Sequence, residues 1–336
     1  MRRRFAKPPD EPRRVQSAVY FAADSDASEA RYMRRMQSTY TWMFVEDISG
    51  VIPPGANDDN YREKIAVTPE DGELVSRLAD GFDHSHDGYH RDIAHPLSEF
   101  VRLLMGELCF DGSASYEIAR LFEPGKDTPT GFKLFHLNPS QLRRDNGQLV
   151  QVVPPETAEQ FEVATEIPLP NEDIATFELP KKLHATIATA CEHLDLISRR
   201  DSTKLFMQAQ SGGLPYSFSE HNRAMHIAIA AATEAIGWNA RGMLHDKTLT
   251  TFWLKRNVRY HRFSNQVRNA IIDEINRFLA RIGPRFGFSA QLQLKGFLSE
   301  TELSDIEAHI DRGDVPMTEI VDMLSSRVSM PKITKA

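Results

Sequence analysis

The spacing of the apolar residues changes abruptly at Gly112, and that change limits the folds open to the chain. Before it, Leu97, Phe100, Val101, Leu104, Met105 and Leu108 recur every three or four residues. That is one face of a helix, which Pro96 opens. Beyond the turn Phe110-Asp111-Gly112 the pattern becomes strand-like. Residues 116–122, 131–137, 149–153, 161–169 and 173–179 are predicted as short strands parted by turns. Pro154, Pro155, Pro168, Pro170 and Pro180 stand at strand edges or ends, where a missing N–H is tolerated. Strands that follow one another in this way make an antiparallel sheet or small barrel, not a βαβ array. The expected class is α+β, mainly helical, with a central antiparallel sheet or small barrel.

Helical patterns flank this region. Residues 29–44 read as a helix. Thr68-Pro69-Glu70 reads as the start of another, with Thr68 as N-cap and Leu74, Val75 and Leu78 facing inward. After Pro180, Leu183, Ile187, Cys191, Leu194 and Ile197 form a stripe that Arg199-Arg200-Asp201 ends. Ser219 is a predicted cap for an Ala-rich helix running to Ile236 and stopped by Gly237. Ser264 or Asn265 opens the clearest helix, with Val267, Ile271, Ile275, Phe278 or Leu279, and Ile282 inward and Gly283-Pro284 at its end. A strand is expected at 290–294. Ser299-Glu300-Thr301-Glu302 then spells a capping box for a helix to Ile310. Residues 1–16 carry five Arg and several Pro with almost nothing to bury, which reads as a mobile basic arm or a tail without a task.

Composition excludes several classes. Forty Lys and Arg against 47 Asp and Glu give a net charge of −7, so the chain is no polybasic nucleic-acid coat. Its only cysteines, Cys109 and Cys191, lie in apolar stripes far apart. They read as core thiols, not as a disulfide framework or a zinc set. The most apolar stretch, 227–236, contains Glu234 and is far short of the roughly 20 residues that span a bilayer. The N-terminus is expected to be neither a secretory signal nor an anchor, because Lys7-Pro8-Pro9-Asp10 follows its basic residues.

Two stretches carry residues suited to chemistry. Between Asp83 and His95 lie four His and three Asp, including His84, His86, Asp87 and His90. They are a candidate metal set for a phosphoesterase or nuclease. Gly88 breaks any helix there and no His-Glu-x-x-His motif is present, so a solvated, pH-sensitive linker is the competing reading. The second stretch, Lys255, Arg256, Arg259 and Arg262 interleaved with Phe252, Trp253, Tyr260 and Phe263, suits a phosphate backbone or stacked bases. It suits salt-bridged packing in an acidic protein equally well. The sequence contains no Gly-x-Ser-x-Gly, no phosphate-binding Gly-Lys-Ser/Thr loop and no Gly-x-Gly-x-x-Gly. No catalytic residue, metal ligand or cofactor is assigned.

Read as a unit, residues 88–180 resemble the wing segment of tailed-phage portal proteins. The carrying residues are Gly112 through Tyr116-Glu117-Ile118, the Leu137-Asn138-Pro139 turn, the hairpin at Asn146-Gly147, and Pro170-Asn171-Glu172-Asp173-Ile174. Arg262-Phe263 and residues 268–279, with Asn276 inside, resemble the long helix after the portal stem, and Gly313 the region before the portal C-terminus. After a flexible basic N-terminal arm at 1–28, the resemblance implies a wing-like domain at 29–180, a stem or clip region at 181–265, a C-terminal helical wing region at 266–325 and a tail at 326–336. It implies a non-enzymatic subunit of a dodecameric homo-oligomeric ring at one capsid vertex, assembled in the host cytoplasm. The partners it implies are the major capsid protein, a head–tail adaptor, terminase and double-stranded DNA passing through without sequence readout, with no membrane. Lys255, Arg256, Arg259 and Arg262 would then serve as subunit-interface or DNA-backbone contacts. A non-channel structural adaptor is the remaining alternative.

Overall fold

In a computed structural model of the protein, the described residues are 38–325 apart from 55, 59–60, 84–91, 123–127, 161–162, 211–216 and 243–249. In chain order the first elements are α1 (Thr39–Ser49), β1 (Lys64–Thr68), α2 (Gly72–Phe82), α3 (Ala94–Asp111), β2 (Ser113–Leu121), β3 (Gly131–Leu137), β4 (Leu142–Asp145) and β5 (Gln148–Val152). There follow α4 (Pro155–Gln160), β6 (Glu166–Leu169), β7 (Ile174–Glu178), α5 (Lys181–Gln210) and α6 (Phe218–Ala232). The last are α7 (Thr250–Phe286), β8 (Gln291–Lys295), α8 (Glu300–Arg312) and α9 (Met317–Leu324). The fold is α+β. It divides into two compact units, one of residues 65–179 and 271–293, the other of 38–64, 180–270 and 294–325.

The first unit is organised around β2. Helix α3 ends at Gly112, whose φ of 73° sets the left-handed turn that feeds the chain straight into that strand. β2 is the middle strand of an antiparallel sheet ordered β3-β2-β7, with Tyr116 opposite His136 on one side and Ala175 on the other. Tyr116 and Phe177, on the buried face of that sheet, meet Phe100, and Phe177 also meets Phe278; these two rings link them to Phe82 and Phe132 in one cluster with ring-centroid separations of 5.1–6.5 Å. Most of these contacts are edge-on or tilted, the geometry favoured by the ring quadrupoles. Close approach to this cluster requires Gly81, because a Cβ there would stand 2.6 Å from the Phe132 ring. β4, β5 and β6 form a second three-stranded sheet, its first hairpin closed by Asn146-Gly147 with both φ positive. In α7, the Asn276 amide accepts from Leu292 N at 2.7 Å and donates to Leu292 O at 3.0 Å, standing in for a strand neighbour of β8.

The second unit is helical. Ser38 caps α1 and also donates to Ser198 Oγ of α5 at 2.9 Å, while Thr41 donates to Cys191 O at 3.2 Å. α8 begins with the expected capping box of Ser299 and Glu302 and ends at Gly313, whose φ is 64°. Leu303, Ile306 and Ile310 of α8, with Ile320 and Leu324 of α9, close over Leu254 and Val258 of α7.

Several elements depart from the sequence reading. The helix expected from 264 or 265 begins at Thr250, because Leu254 and Val258, four residues apart, form a second buried stripe about half a turn from Val267 that packs against α8 and α9. Thr68 ends β1; the cap of α2 is Asp71, which accepts from Glu73 N at 2.9 Å. Of the strand expected at 161–169, residues 161–162 lie outside the described residues and Glu166–Leu169 is strand; the short helix α4, opened by Pro155 and Glu156, precedes it. Ser217, not Ser219, caps α6, which stops at Ala232. Arg199 and its neighbours end the apolar stripe of α5 but not the helix, which runs to Gln210. Of the residues expected as a first helix, 29–37 lie outside the described residues.

Candidate functional site

The basic and aromatic run singled out in the sequence forms the first turns of α7, so its four cations point around a helix. Arg256, 2% exposed, turns inward. Its Nη2 donates to Trp238 O at 2.7 Å and Thr233 Oγ1 at 2.9 Å, its Nη1 to Ala230 O at 3.0 Å, and its Nε to Asn239 Oδ1 at 3.2 Å. The acceptors belong to the end of α6 and the turn after it, where orphan helix carbonyls accumulate. One planar guanidinium thus holds the corner. Burial, followed by the nearby Arg259 charge, lowers the Arg256 pKa to about 10.

The other three cations lie nearer the surface and also find partners within the chain. Arg259 donates to Glu234 O at 2.6 Å. Arg262 donates to Glu300 and Glu307 of α8, both at 2.6 Å, and to Ser304 Oγ at 3.1 Å. Burial works against its charge, but its hydrogen bonds to the two carboxylates outweigh that and raise its pKa. Lys255 is paired with Asp311, whose hydrogen bond raises the lysine pKa. The run therefore fastens α6 and α8 to α7.

In the first unit the structure brings together residues that sequence reasoning did not combine. Asp173, 1% exposed, receives Arg285 Nη2 at 2.7 Å and Arg120 Nη2 at 3.3 Å. Arg281 donates to Ile174 O at 2.5 Å, and its pKa is lowered by burial and then by the Arg285 charge. Near this cluster a cleft of about 460 Å³ is lined by Arg144, Arg277, Arg281, Glu178 and Glu274 among others. Burial, opposed by Arg277 and assisted by Glu178, raises the pKa of Glu274, which is paired with Arg277. Arg277 and Arg281 stand at i, i+4 spacing in the sequence, whereas Arg285 lies beyond the helix end expected at Gly283-Pro284 and joins their face because α7 continues through Pro284 to Phe286. Their carboxylate and carbonyl partners, more than a hundred residues earlier for Arg281 and Arg285, were not visible in the sequence.

His84, His86, Asp87 and His90 lie outside the described residues. Among the described residues there is no group of three or more His, Cys, Asp or Glu placed to hold a metal ion. Cys109 and Cys191 are both buried, and neither is in a disulfide. Among the described residues no helix is long and apolar enough to cross a membrane.

No protein-family model matches the chain, and no curated protein matches it. Solved structures do. The chain is similar to an HK97-family phage portal protein from Corynebacterium diphtheriae, with 9% identity and a TM-score of 0.41, over 79% of this chain and 95% of that one. It is similar to a chain from the neck of an empty GTA particle, with 10% identity and a TM-score of 0.46, over 92% and 98%. A chain from the virion of the native gene transfer agent gives 12% identity and a TM-score of 0.44, again over 92% and 98%.

Proposed function

We propose that this chain is a portal-type subunit. Copies of it form a ring at one vertex of a virion and enclose a conduit for double-stranded DNA. The observation that carries this reading is that the residues shared with the portal wing pattern, taken in order, are those on which the first unit depends. Gly112 makes the left-handed turn from α3 into β2, and Tyr116 and Ile118 are each 1% exposed on that strand. Leu137 closes β3 in the core, Asn146-Gly147 turns the hairpin, and Asp173 is the buried partner of two arginines. A resemblance resting on such positions concerns the fold and not a chance run of surface residues.

Two further features support assembly. The helical unit leaves Leu196, Ile227 and Phe252 exposed at 49%, 61% and 46%, as a surface awaiting a second copy would. A net charge of −7 suits a conduit that must let DNA slide without holding its phosphates. In the ring, Lys255, Arg259 and Arg262 face a neighbouring copy or the DNA backbone, whereas the inward Arg256 supports them from behind. The capsid protein, a head–tail adaptor and terminase are the further partners, and the subunit itself performs no catalytic step.

Sedimentation of the purified chain tests this. The expected result is a closed species of many copies, visible as rings by negative staining. A stable 38.1 kDa monomer at high micromolar concentration overturns it.

A further inference from the structure

The helical unit contains a polar cavity of about 190 Å³ beside the middle of α7, lined by Arg62, Glu63, His261, Arg268 and Phe297 among others. That volume is many times the roughly 10–15 Å³ a single water needs, so a tetrahedral ion fits. Arg268 is 8% exposed and Glu63 4%. Arg268 donates from Nε to Val51 O and from Nη1 to Asn265 Oδ1, both at 2.6 Å, and its guanidinium lies 4.1 Å from the Phe297 ring centroid. Among the described residues no carboxylate forms an ion pair with it. Burial lowers its pKa to about 10, with Glu63 opposing at longer range. Glu63 Oε2 and Arg62 Nε are buried with no hydrogen-bond partner among the described residues.

Isolated charges and unmade hydrogen bonds in an interior are costly, so these groups describe what belongs between them. Asp47, which also lines the cavity, is already engaged by Trp238 Nε1 at 2.7 Å and Arg241 Nε at 2.8 Å. His261 is neutral: burial, then Arg268 and Arg62, lower its pKa to about 4. What remains in the cavity lining is two guanidinium groups against one carboxylate, with Glu302 acting on Arg62 from outside it. A fitting occupant carries negative charge, offers acceptor oxygens to Arg62 and Arg268, and has a hydroxyl proton to donate to Glu63 Oε2. Chloride, sulfate, a carboxylate and a DNA phosphodiester all lack that proton. A phosphate group that keeps one has it.

We propose that this cavity is a binding site for a protonated phosphate, either hydrogen phosphate or a phosphate monoester, gripped by Arg62 and Arg268 and selected by Glu63. The assignment is independent of the portal reading, and the same chemistry sets the site apart from DNA-backbone contacts.

The test is calorimetry on the full chain at about pH 6, where a phosphate monoester is partly protonated, with sodium phosphate, sodium sulfate and sodium chloride at matched ionic strength. Saturable phosphate binding is expected, at least tenfold tighter than sulfate, the range of one charged hydrogen bond. Glu63→Gln presents an amide N–H₂ in place of the acceptor and should admit sulfate, bringing the two affinities together. Arg268→Gln should abolish binding, and Glu63→Gln keeps the test open if that variant does not fold. Glycerol phosphate distinguishes the sources: equal binding assigns a monoester, much weaker binding the free ion, and either supports the site. Equal phosphate and sulfate affinity in the unaltered chain, no saturable binding, or selectivity retained in Glu63→Gln overturns the proposal.

Discussion

The carboxylate of Asp173, 1% exposed at the entry to β7, stands 2.7 Å from the guanidinium of Arg285 near the end of α7. Arg120 of β2 reaches the same carboxylate at 3.3 Å. A buried pair of this kind adds little over an apolar replacement, but removing one partner leaves a charge stranded in the interior. Asp173→Asn is therefore expected to destabilise the protein by about 3–5 kcal/mol. Arg120→Met, at the longer contact, should cost less. Urea unfolding of the single and double variants measures both. A near-neutral Asp173→Asn would show that the pair is screened in solution.

How far this arrangement was legible in the sequence depends on what each residue needed to reveal itself. The α3 stripe, the turn at Gly112, the Asn146-Gly147 hairpin and the Ser299–Glu302 box are local devices, and local spacing exposed them. The start of α7 was missed because Lys255, Arg256, Arg259 and Arg262 resemble a surface patch, and because Leu254 and Val258 lie about half a turn from the Val267 stripe, on a face whose partners in α8 and α9 come some fifty residues later. The pairing of strands β2 through β7 into two separate three-stranded sheets was also hidden, since alternation marks a strand without naming its neighbour. The cavity around Arg268 was invisible for the same reason: Glu63 and Arg268 are two hundred residues apart, and neither belongs to a motif.

Acid should weaken the protein through His261. Its pKa in the folded state is lowered to about 4, by burial first and then by Arg268 and Arg62. Both states are neutral at this site above the ordinary histidine value of about 6.5. Below it the unfolded chain takes up a proton that the folded chain refuses, so stability falls as pH drops from about 6.5 towards 4 and then levels. The loss amounts to about 3 kcal/mol if the full shift is expressed. The unfolding midpoint of His261→Asn, followed over that range, should be flatter than that of the unaltered chain. Parallel profiles would mean that other groups set the acid limb.

Gly237 has a φ of 82°, and a Cβ there would stand 2.4 Å from the Arg256 carbonyl oxygen and 2.8 Å from Arg259 Cβ. Strain and collision act together at this position. The left-handed conformation alone costs a side chain about 1–2 kcal/mol, and the displaced α7 backbone adds to it. Gly237→Ala should lower the melting temperature clearly. Gly287→Ala, with φ 68° but open space around it, should pay only the conformational part. Equal shifts in the two variants would rule out the close approach to α7.

The four cations in the first turns of α7, Lys255, Arg256, Arg259 and Arg262, should separate into one that supports the fold and three that are dispensable for it. Arg256 supplies donors to the Ala230 and Trp238 carbonyls, the Thr233 hydroxyl and the Asn239 amide. Lysine offers a single ammonium and cannot reach that spread of acceptors. Arg256→Lys and Arg256→Ala should therefore each cost several kcal/mol, about the scale of a broken buried network. Arg262, whose side chain is 26% exposed, meets Glu300 and Glu307 near the surface, where such pairs contribute about 0–1 kcal/mol. Arg262→Ala and Lys255→Ala should unfold nearly as the unaltered chain does. Their effect is expected on assembly instead, since removing either cation frees carboxylates of α8 at the proposed ring surface. Chemical denaturation read beside sedimentation decides the division: Arg256 variants lose stability before assembly, and the other two lose assembly with stability retained. If Arg256→Lys matches the unaltered chain in denaturant, the buried corner is not what holds α6 to α7.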